Sequence, residues 1–309
     1  MDRALSAAVD LLCFGEPMVE FNDQSNGTFL FGFGGDVSNV AVAAARQGAA
    51  TGLATRLGLD SFGDDLMQLY VREGIDTTAI ERDPDAPTGL YFVRHGTDGH
   101  RFDYRRAGSA ASLLSPDTLP KQAIANARCL HLSGISQAIS DSAKDACDAA
   151  IFEAKRAGAL VSYDPNLRVS LWPLERARAV IHATAAQADI FLPGYEDAVQ
   201  LTGLTEQEAI AQFYLDLGAK LVALTLGEDG ALIATPQGLE TVSAPTVQAV
   251  DASGAGDCFD GAFLARMLAG DTPLQAAQYA VSAAALSVQG FGAIAPIPTA
   301  QQIQAFMGH

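Results

Sequence analysis

The stretch Asp251-Ala252-Ser253-Gly254-Ala255-Gly256-Asp257-Cys258-Phe259-Asp260-Gly261-Ala262-Phe263-Leu264 decides how this chain is read. It opens on small residues and becomes a helix. Phe259, Ala262, Phe263 and Leu264 share one helical face, which Met267 extends. Gly254 and Gly256 lack a Cβ, so the backbone can turn tightly and present bare N–H groups. At a helix start these meet the positive end of the helix dipole, which favours an anion. Asp257 places one carboxylate at the same turn. An anion-gathering turn beside one base is what phosphoryl transfer to a hydroxyl requires. A Gly-rich helix start with a helpful acidic residue would read the same way, so a second motif is needed.

That second motif lies near the other end of the chain. Gly34-Gly35-Asp36-Val37-Ser38-Asn39 precedes a small-residue helix through Val40, Ala44 and Ala45 that stops at Gly48, with Asp36 as its expected cap. Paired glycines let a ligand approach the backbone. Asn39, on the first turn, can both donate and accept hydrogen bonds, as a polyol demands, although a polar residue near a cap is the plainer reading.

Between and around the motifs, two kinds of pattern alternate. Val19–Asn22 and Thr28–Phe33 read as strands joined at Ser25-Asn26-Gly27, and Thr88–Arg94 and His100–Arg106 as a pair around Gly96-Thr97-Asp98-Gly99. Together they make a small sheet. Phe29, Phe31 and Phe33 line one of its faces, suited to packing, to a lid or to a dimer contact. Arg105 and Arg106 point to opposite faces, so one of them can enter a site.

The other segments alternate strand and helix. Strands are expected at Asp10–Gly15, Ala50–Thr55, Cys129–Leu132, Leu160–Tyr163, Ile190–Leu192, Leu221–Thr225 and Ala231–Ile233. Helices are expected at Asp64–Glu73, Asp141–Ala157, after Glu196-Asp197 and at Ala276–Val288. The last is rich in small residues and suits close packing near a planar ligand. Asp164-Pro165-Asn166-Leu167-Arg168 follows a strand, where open parallel sheets bind ligands, and this location favours ligand contact for Arg168 over a surface role.

Composition narrows the classes. The chain has 309 residues, 49% hydrophobic, with 19 basic and 36 acidic side chains for a formal charge of −17. That argues against nucleic acid or an anionic membrane as partner, and an anionic substrate would need locally placed Arg or Lys. Cys13, Cys129, Cys147 and Cys258 show no paired spacing and read as reduced thiols of a cytoplasmic protein, Cys258 as a small buried filler. No signal peptide or apolar run of membrane length is seen. The five histidines show no paired ligand spacing, so side chains encode no metal site.

The stretch from Gly34 through Asn39 and Gly48 to Gly58 resembles the N-terminal signature of the ribokinase-like (PfkB-type) carbohydrate kinases, and Asp251–Leu264 resembles their C-terminal signature. The resemblance covers nearly the whole chain. It implies one α/β kinase domain over residues 1–309: a central, mostly parallel sheet flanked by helices, with lid strands at about 16–33 and 88–106. It implies that Asp257 takes the proton of the accepting hydroxyl and that the N–H groups of Gly254, Ala255 and Gly256 hold the phosphoryl charge. ATP would lie over Thr225–Gly230, touching Thr225, Gly227 and Gly230, and Mg2+ would be held largely by phosphates and water. Some relatives bind a monovalent cation near Asp251–Ser253.

Three further stretches resemble the 2-keto-3-deoxygluconate kinases of that family: Gly15–Phe21, Tyr104-Arg105-Arg106 before Gly108–Ala111, and Asp164–Arg168 followed by Leu171-Trp172. This likeness implies that Arg106 and Arg168 approach a sugar acid, with Gly34, Gly35, Asn39, Tyr91 and Tyr104 around it. A dimer through the lid is expected. Fructokinase or another ketose kinase is the alternative within the family. A catalytically silent sugar-binding regulator is the alternative outside it, disfavoured by the retained Asp257. A dinucleotide-binding oxidoreductase is weaker still, because no GxGxxG follows the first strand. The chain departs from the family pattern at Ala252, Thr225, Gly194 with Asp197, and Val281-Ser282.

Overall fold

Leu11-Leu12-Cys13-Phe14 is buried on both faces, which marks an inner strand of a parallel sheet. The structure is a computed structural model that describes residues 8–24, 26–96 and 99–308. Its strands are β1 (Leu11–Phe14), β2 (Met18–Asp23), β3 (Phe29–Gly34), β4 (Thr51–Gly58), β5 (Ile80–Asp83), β6 (Leu90–Gly96) and β7 (Gly99–Arg105). They continue with β8 (Cys129–Ser133), β9 (Leu160–Asp164), β10 (Ile190–Phe191), β11 (Leu221–Thr225), β12 (Ala231–Thr235) and β13 (Gly238–Val242). The helices are α1 (Asp36–Arg46), α2 (Ser61–Arg72), α3 (Lys121–Asn126), α4 (Gly134–Ala138), α5 (Asp141–Ala157) and α6 (Leu174–Ala185). Then follow α7 (Tyr195–Thr202), α8 (Gln207–Leu217), α9 (Ala255–Ala269), α10 (Pro273–Ser287) and α11 (Ala300–Met307).

Nine strands form the main sheet in the order β13-β12-β11-β10-β9-β8-β1-β4-β5. All neighbours are parallel except β11–β12 and β12–β13. The chain moves from β1 to β4 on one side and later builds outward from β8 on the other. Ligands bind at such a switch, beyond the carboxyl ends of the strands. Side-chain alternation along β1 divides the core: Leu11 and Cys13 join the cluster around α1, α9 and α10, while Leu12 and Phe14 join the cluster around α5, α6 and α8. A side chain such as Phe263, fully buried, stabilises the fold by about 1.5–3 kcal/mol.

Local chemistry sets the helix ends. Ser140 Oγ accepts from the Ala143 N–H at the start of α5, and Gly158, at φ +81°, ends it. Thr272 and Gln275 form a capping box for α10, with Pro273 in its first turn. The expected cap of α1 is corrected. Gly35 is the N-cap, at φ +93°, and Asp36 is the first helical residue, its Oδ1 accepting from the Val37 N–H at 2.8 Å. A Cβ at Gly35 would lie 2.4 Å from the Glu16 carbonyl oxygen, so glycine is required there. Helix α9 is buried on nearly every side rather than on one face, because α1 and α10 both pack against it. A Cβ on Gly261 would come within 2.5 Å of Ala43 Cβ and the Val40 carbonyl oxygen.

The small sheet has the order β3-β2-β6-β7. One face carries Phe21, which stacks on Phe92 at 5.2 Å and meets Phe31 and, on α2, Phe62 edge-on. Phe29 and Phe31 lie on this face and remain 38% and 42% exposed. The opposite face carries Met18, Glu20, Tyr91 and Tyr104. Of the expected turns, Ser25, Thr97 and Asp98 lie outside the described residues. Edge strands β5 and β13 are not legible in the sequence because they are polar and largely unburied, which is how sheet edges are protected.

Candidate active site

Two helix starts meet at the carboxyl ends of the strands. Asn39, on the first turn of α1, donates from Nδ2 to Asp257 Oδ2 on the first turn of α9, at 2.7 Å. Gly254 caps α9 at φ +73°, a conformation that glycine adopts without strain. Burial pushes the Asp257 carboxyl up to about 7 and the Asp36 charge adds to it, while Asn39 and Arg168 oppose the shift. A carboxylate poised near neutrality suits a general base. The Asn39 amide N–H is thus engaged by Asp257, while its Oδ1 is buried without a partner. Of the three N–H groups expected to gather an anion, that of Ala255 donates to the Ala252 carbonyl oxygen at 3.2 Å.

A cavity of about 770 Å³ opens under the small sheet. Asp257, Asn39, Gly35, Tyr91, Tyr104, Arg106 and Arg168 all line it. Gly34 sits behind them, where a Cβ would strike the Tyr91 hydroxyl at 2.2 Å. Arg105 and Arg106 separate as expected: Arg105 is exposed, and Arg106, one residue past β7, enters the cavity. There Arg106 lies 4.4 Å over the Tyr104 ring and 3.0 Å from the Glu16 carboxylate. Tyr91 donates its hydroxyl to Glu20 at 2.5 Å. Arg168 is more exposed and donates to the Leu167 carbonyl oxygen of its own loop at 2.9 Å. Both arginines reach the cavity, and both are already engaged by protein atoms. Asn166, at φ +33°, is the one non-glycine residue with positive φ among the described residues. Its loop is held by Asp164, which accepts from the Asn166 N–H, and by Asp197, which accepts from the Leu167 N–H.

A second cavity, of about 500 Å³, lies beside α10. Thr225, Gly227 and Gly230 line one side, and Val281, Ala284 and Ala285 the other. The small-residue helix therefore faces the cavity, as its composition predicts. A passage of about 210 Å³ lined by Gly254, Ala255, Gly256 and Asp257 adjoins both cavities. Asp164, Asp197 and Asp260 also line it, and the buried Asp260 Oδ2 has no partner. Burial pushes the Asp164 and Asp260 carboxyls well up; the Asp257 charge adds to both, and Asp164 adds to Asp260. Among the described residues, no three such side chains converge to hold a metal ion by themselves. This acidic passage fits a cation completed by phosphate and water. Asp251, in the loop expected near a monovalent cation, accepts from the Ser253 and Gly292 N–H groups. All four cysteines are buried and free, and burial pushes the Cys258 thiol up to about 12, away from reactivity.

Several cavity residues were not singled out from the sequence. In the sequence Glu16 stands out only within a resemblance, Asp36 reads as a cap, and Glu20, Asp164, Asn166 and Asp260 carry no explicit sign of a role. One signal was present. Met18, Glu20 and Asn22 alternate on a buried strand, and a charge on such a face needs a purpose. For Asp260, only the fold reveals that it lines the same passage as Asp164.

The pfkB family carbohydrate kinase model matches residues 8–300. The 2-dehydro-3-deoxygluconokinase of Thermoproteus tenax is 33% identical, covering 96% of this chain and 94% of its own. The probable fructokinase-4 of Arabidopsis thaliana is 34% identical, covering 96% of both chains. Among solved structures, a putative ribokinase II from E. coli, in complex with ATP and Mg2+, superposes with a TM-score of 0.90 at 25% identity, covering 97% of this chain and 99% of that one. The matched signatures, the sheet and the paired helix starts agree: this chain belongs to the pfkB family of carbohydrate kinases and is an ATP-dependent sugar kinase.

Proposed function

We propose that the protein transfers the terminal phosphoryl group of ATP to the terminal hydroxyl of 2-keto-3-deoxygluconate. Asp257 takes the hydroxyl proton. The N–H groups at Gly254, Ala255 and Gly256 face the transferred phosphoryl group, with the Ala255 N–H released from Ala252 as the anion arrives. ATP occupies the cavity between Thr225–Gly230 and α10. Mg2+, held mainly by phosphates and water beside Asp164, Asp197 and Asp260, supplies neutralisation of the phosphate charge. The small sheet acts as a lid over the sugar, and two lids pair through the half-exposed Phe29 and Phe31 face to make a dimer. A monomer by light scattering at micromolar concentration would sink the dimer.

The observation that carries the sugar-acid reading is the presence of Arg106 and Arg168 in the same cavity as Asp257. A net-acidic protein repels an acid sugar at long range, so binding depends on such short-range donors. Likeness to the T. tenax kinase points the same way. Phosphorylation of fructose is the second reading. Glu16, Glu20 and Asp36 are acceptors that suit the hydroxyls of a neutral sugar, and the A. thaliana fructokinase is as similar. A coupled ADP-release assay over both sugars decides. A higher kcat/KM for fructose overturns the sugar-acid reading and leaves the kinase chemistry standing.

A further inference from the structure

Glu16 is fully buried just past the end of β1 and holds the arginine that a sugar carboxylate needs. Its Oε1 accepts from the Ser109 hydroxyl at 3.3 Å. Its Oε2 lies 3.0 Å from Arg106 Nη2, yet makes no well-formed hydrogen bond, and Arg106 Nε is also buried without an acceptor. Both groups therefore keep unused hydrogen-bonding capacity at the cavity wall. The charged groups facing Glu16 are Arg106, from the end of β7, and Asp36, from α1. Gly89, before β6, approaches it only as backbone. Arg168, Glu20, Asp257 and the phenols of Tyr91 and Tyr104 complete the ionisable lining.

Four carboxylates and two guanidinium groups already share this cavity. A substrate carboxylate on Arg106 would put a further anion beside the fully buried Glu16, where charges are poorly screened. We propose that Glu16 is a specificity residue that takes up one proton when a sugar carboxylate binds Arg106. The proton comes from bulk solvent and goes to Oε2, which can then donate a hydrogen bond towards the bound carboxylate. No other bond forms or breaks. Burial already pushes the Glu16 carboxyl up to about 7 against the pull of Arg106, so protonation is accessible near neutrality. A neutral ketose brings no charge, needs no proton, and meets Glu16 as an ionised acceptor. Acid and neutral sugars are thus separated by pH.

This inference rests on the sugar-acid reading, and one titration distinguishes the two failures. Calorimetric binding without nucleotide, at pH 8 in HEPES and in Tris, counts protons from the difference in buffer heat. Asp257→Asn serves as the parent, because Asp257 titrates in the same range. The parent should take up close to one proton with 2-keto-3-deoxygluconate and none with fructose, and its affinity for the acid should fall about tenfold from pH 8 to 9. Adding Glu16→Gln should abolish both the uptake and that fall. Acid binding without proton uptake in the parent, or uptake that survives Glu16→Gln, overturns the inference alone. Fructose binding with no acid binding overturns the sugar-acid reading and the inference with it. Should the Gln variant fail to melt cooperatively, Ser109→Ala takes its place: it removes the hydroxyl that Glu16 Oε1 accepts from and that holds the Glu16 carboxyl down, so proton uptake at pH 8 should fall, and an unchanged uptake overturns the inference.

Discussion

The two cavities on either side of Asp257 are built on opposite plans. Under the small sheet, buried charged and polar groups face one another: Glu16 against Arg106, Glu20 against the Tyr91 hydroxyl, Asp36 near both arginines. Beside α10 the wall is alanine and valine, and the only charges, Glu228 and Asp229, are exposed on a turn. Buried charges discriminate strongly, because an unmatched polar group there loses its water without a replacement. Small apolar side chains and backbone groups discriminate by shape. In the proposed function the first cavity is therefore where substrate identity is decided, and the second holds the nucleotide with no buried charged side chain among its described lining residues.

The sharpest test removes the group that lines the first cavity and the passage to the second. Asp257→Asn should lower kcat by about 10²–10⁴-fold while the fold and sugar binding persist. With fructose, the wild-type kcat/KM should rise with pH through about 7, because the raised carboxyl is a base only when ionised and is lost as pH falls. The Asn variant should show no such limb. Turnover of the variant within a few-fold of wild type would remove Asp257 from the role of base.

A second test asks whether the charges of the first cavity read the substrate or only hold the protein together. Arg168 donates to its own loop at Leu167 and also faces the cavity. A hydrogen bond to a charged group corresponds to roughly 10–150-fold in affinity. Arg168→Ala should therefore raise KM for 2-keto-3-deoxygluconate by about that factor and change fructose use much less. Equal losses for both sugars would mark Arg168 as a loop brace, with the carboxylate held elsewhere.

Legibility from sequence follows the same division. The sheet was readable because its inner strands are short, continuous apolar runs, and because Gly158 and Gly74 stop their helices. Asp257 and the glycines before it were readable because backbone demands leave glycine where nothing else fits. Partners were not readable. Nothing in Gly15-Glu16-Pro17 states that Glu16 will face Arg106, ninety residues on, since parallel β2–β6 pairing brings them together only in the folded small sheet. Asp197 shows the same limit. It stands at the acidic end of a family pattern, and in the structure it holds the Leu167 N–H. The resemblance located the residue, and only the fold showed what it touches.

The smallest effect is expected on the nucleotide side, at Glu228. Its carboxylate is exposed on the turn after β11, with water on one side and the proposed ATP site on the other. Repulsion between it and a polyphosphate is real but screened, as for exposed pairs generally. Glu228→Gln should lower KM for ATP by less than about fivefold at low salt, leave kcat and sugar KM unchanged, and lose its effect as salt is raised. Solvated charges behave in this way, whereas the buried charges near Glu16 should ignore salt. A change of about tenfold or more that persists at high salt would show that the acidic turn binds nucleotide directly. The proposed contrast between a sugar cavity of buried charges and a nucleotide cavity without them would then fail at its second half, since both would depend on fixed charge.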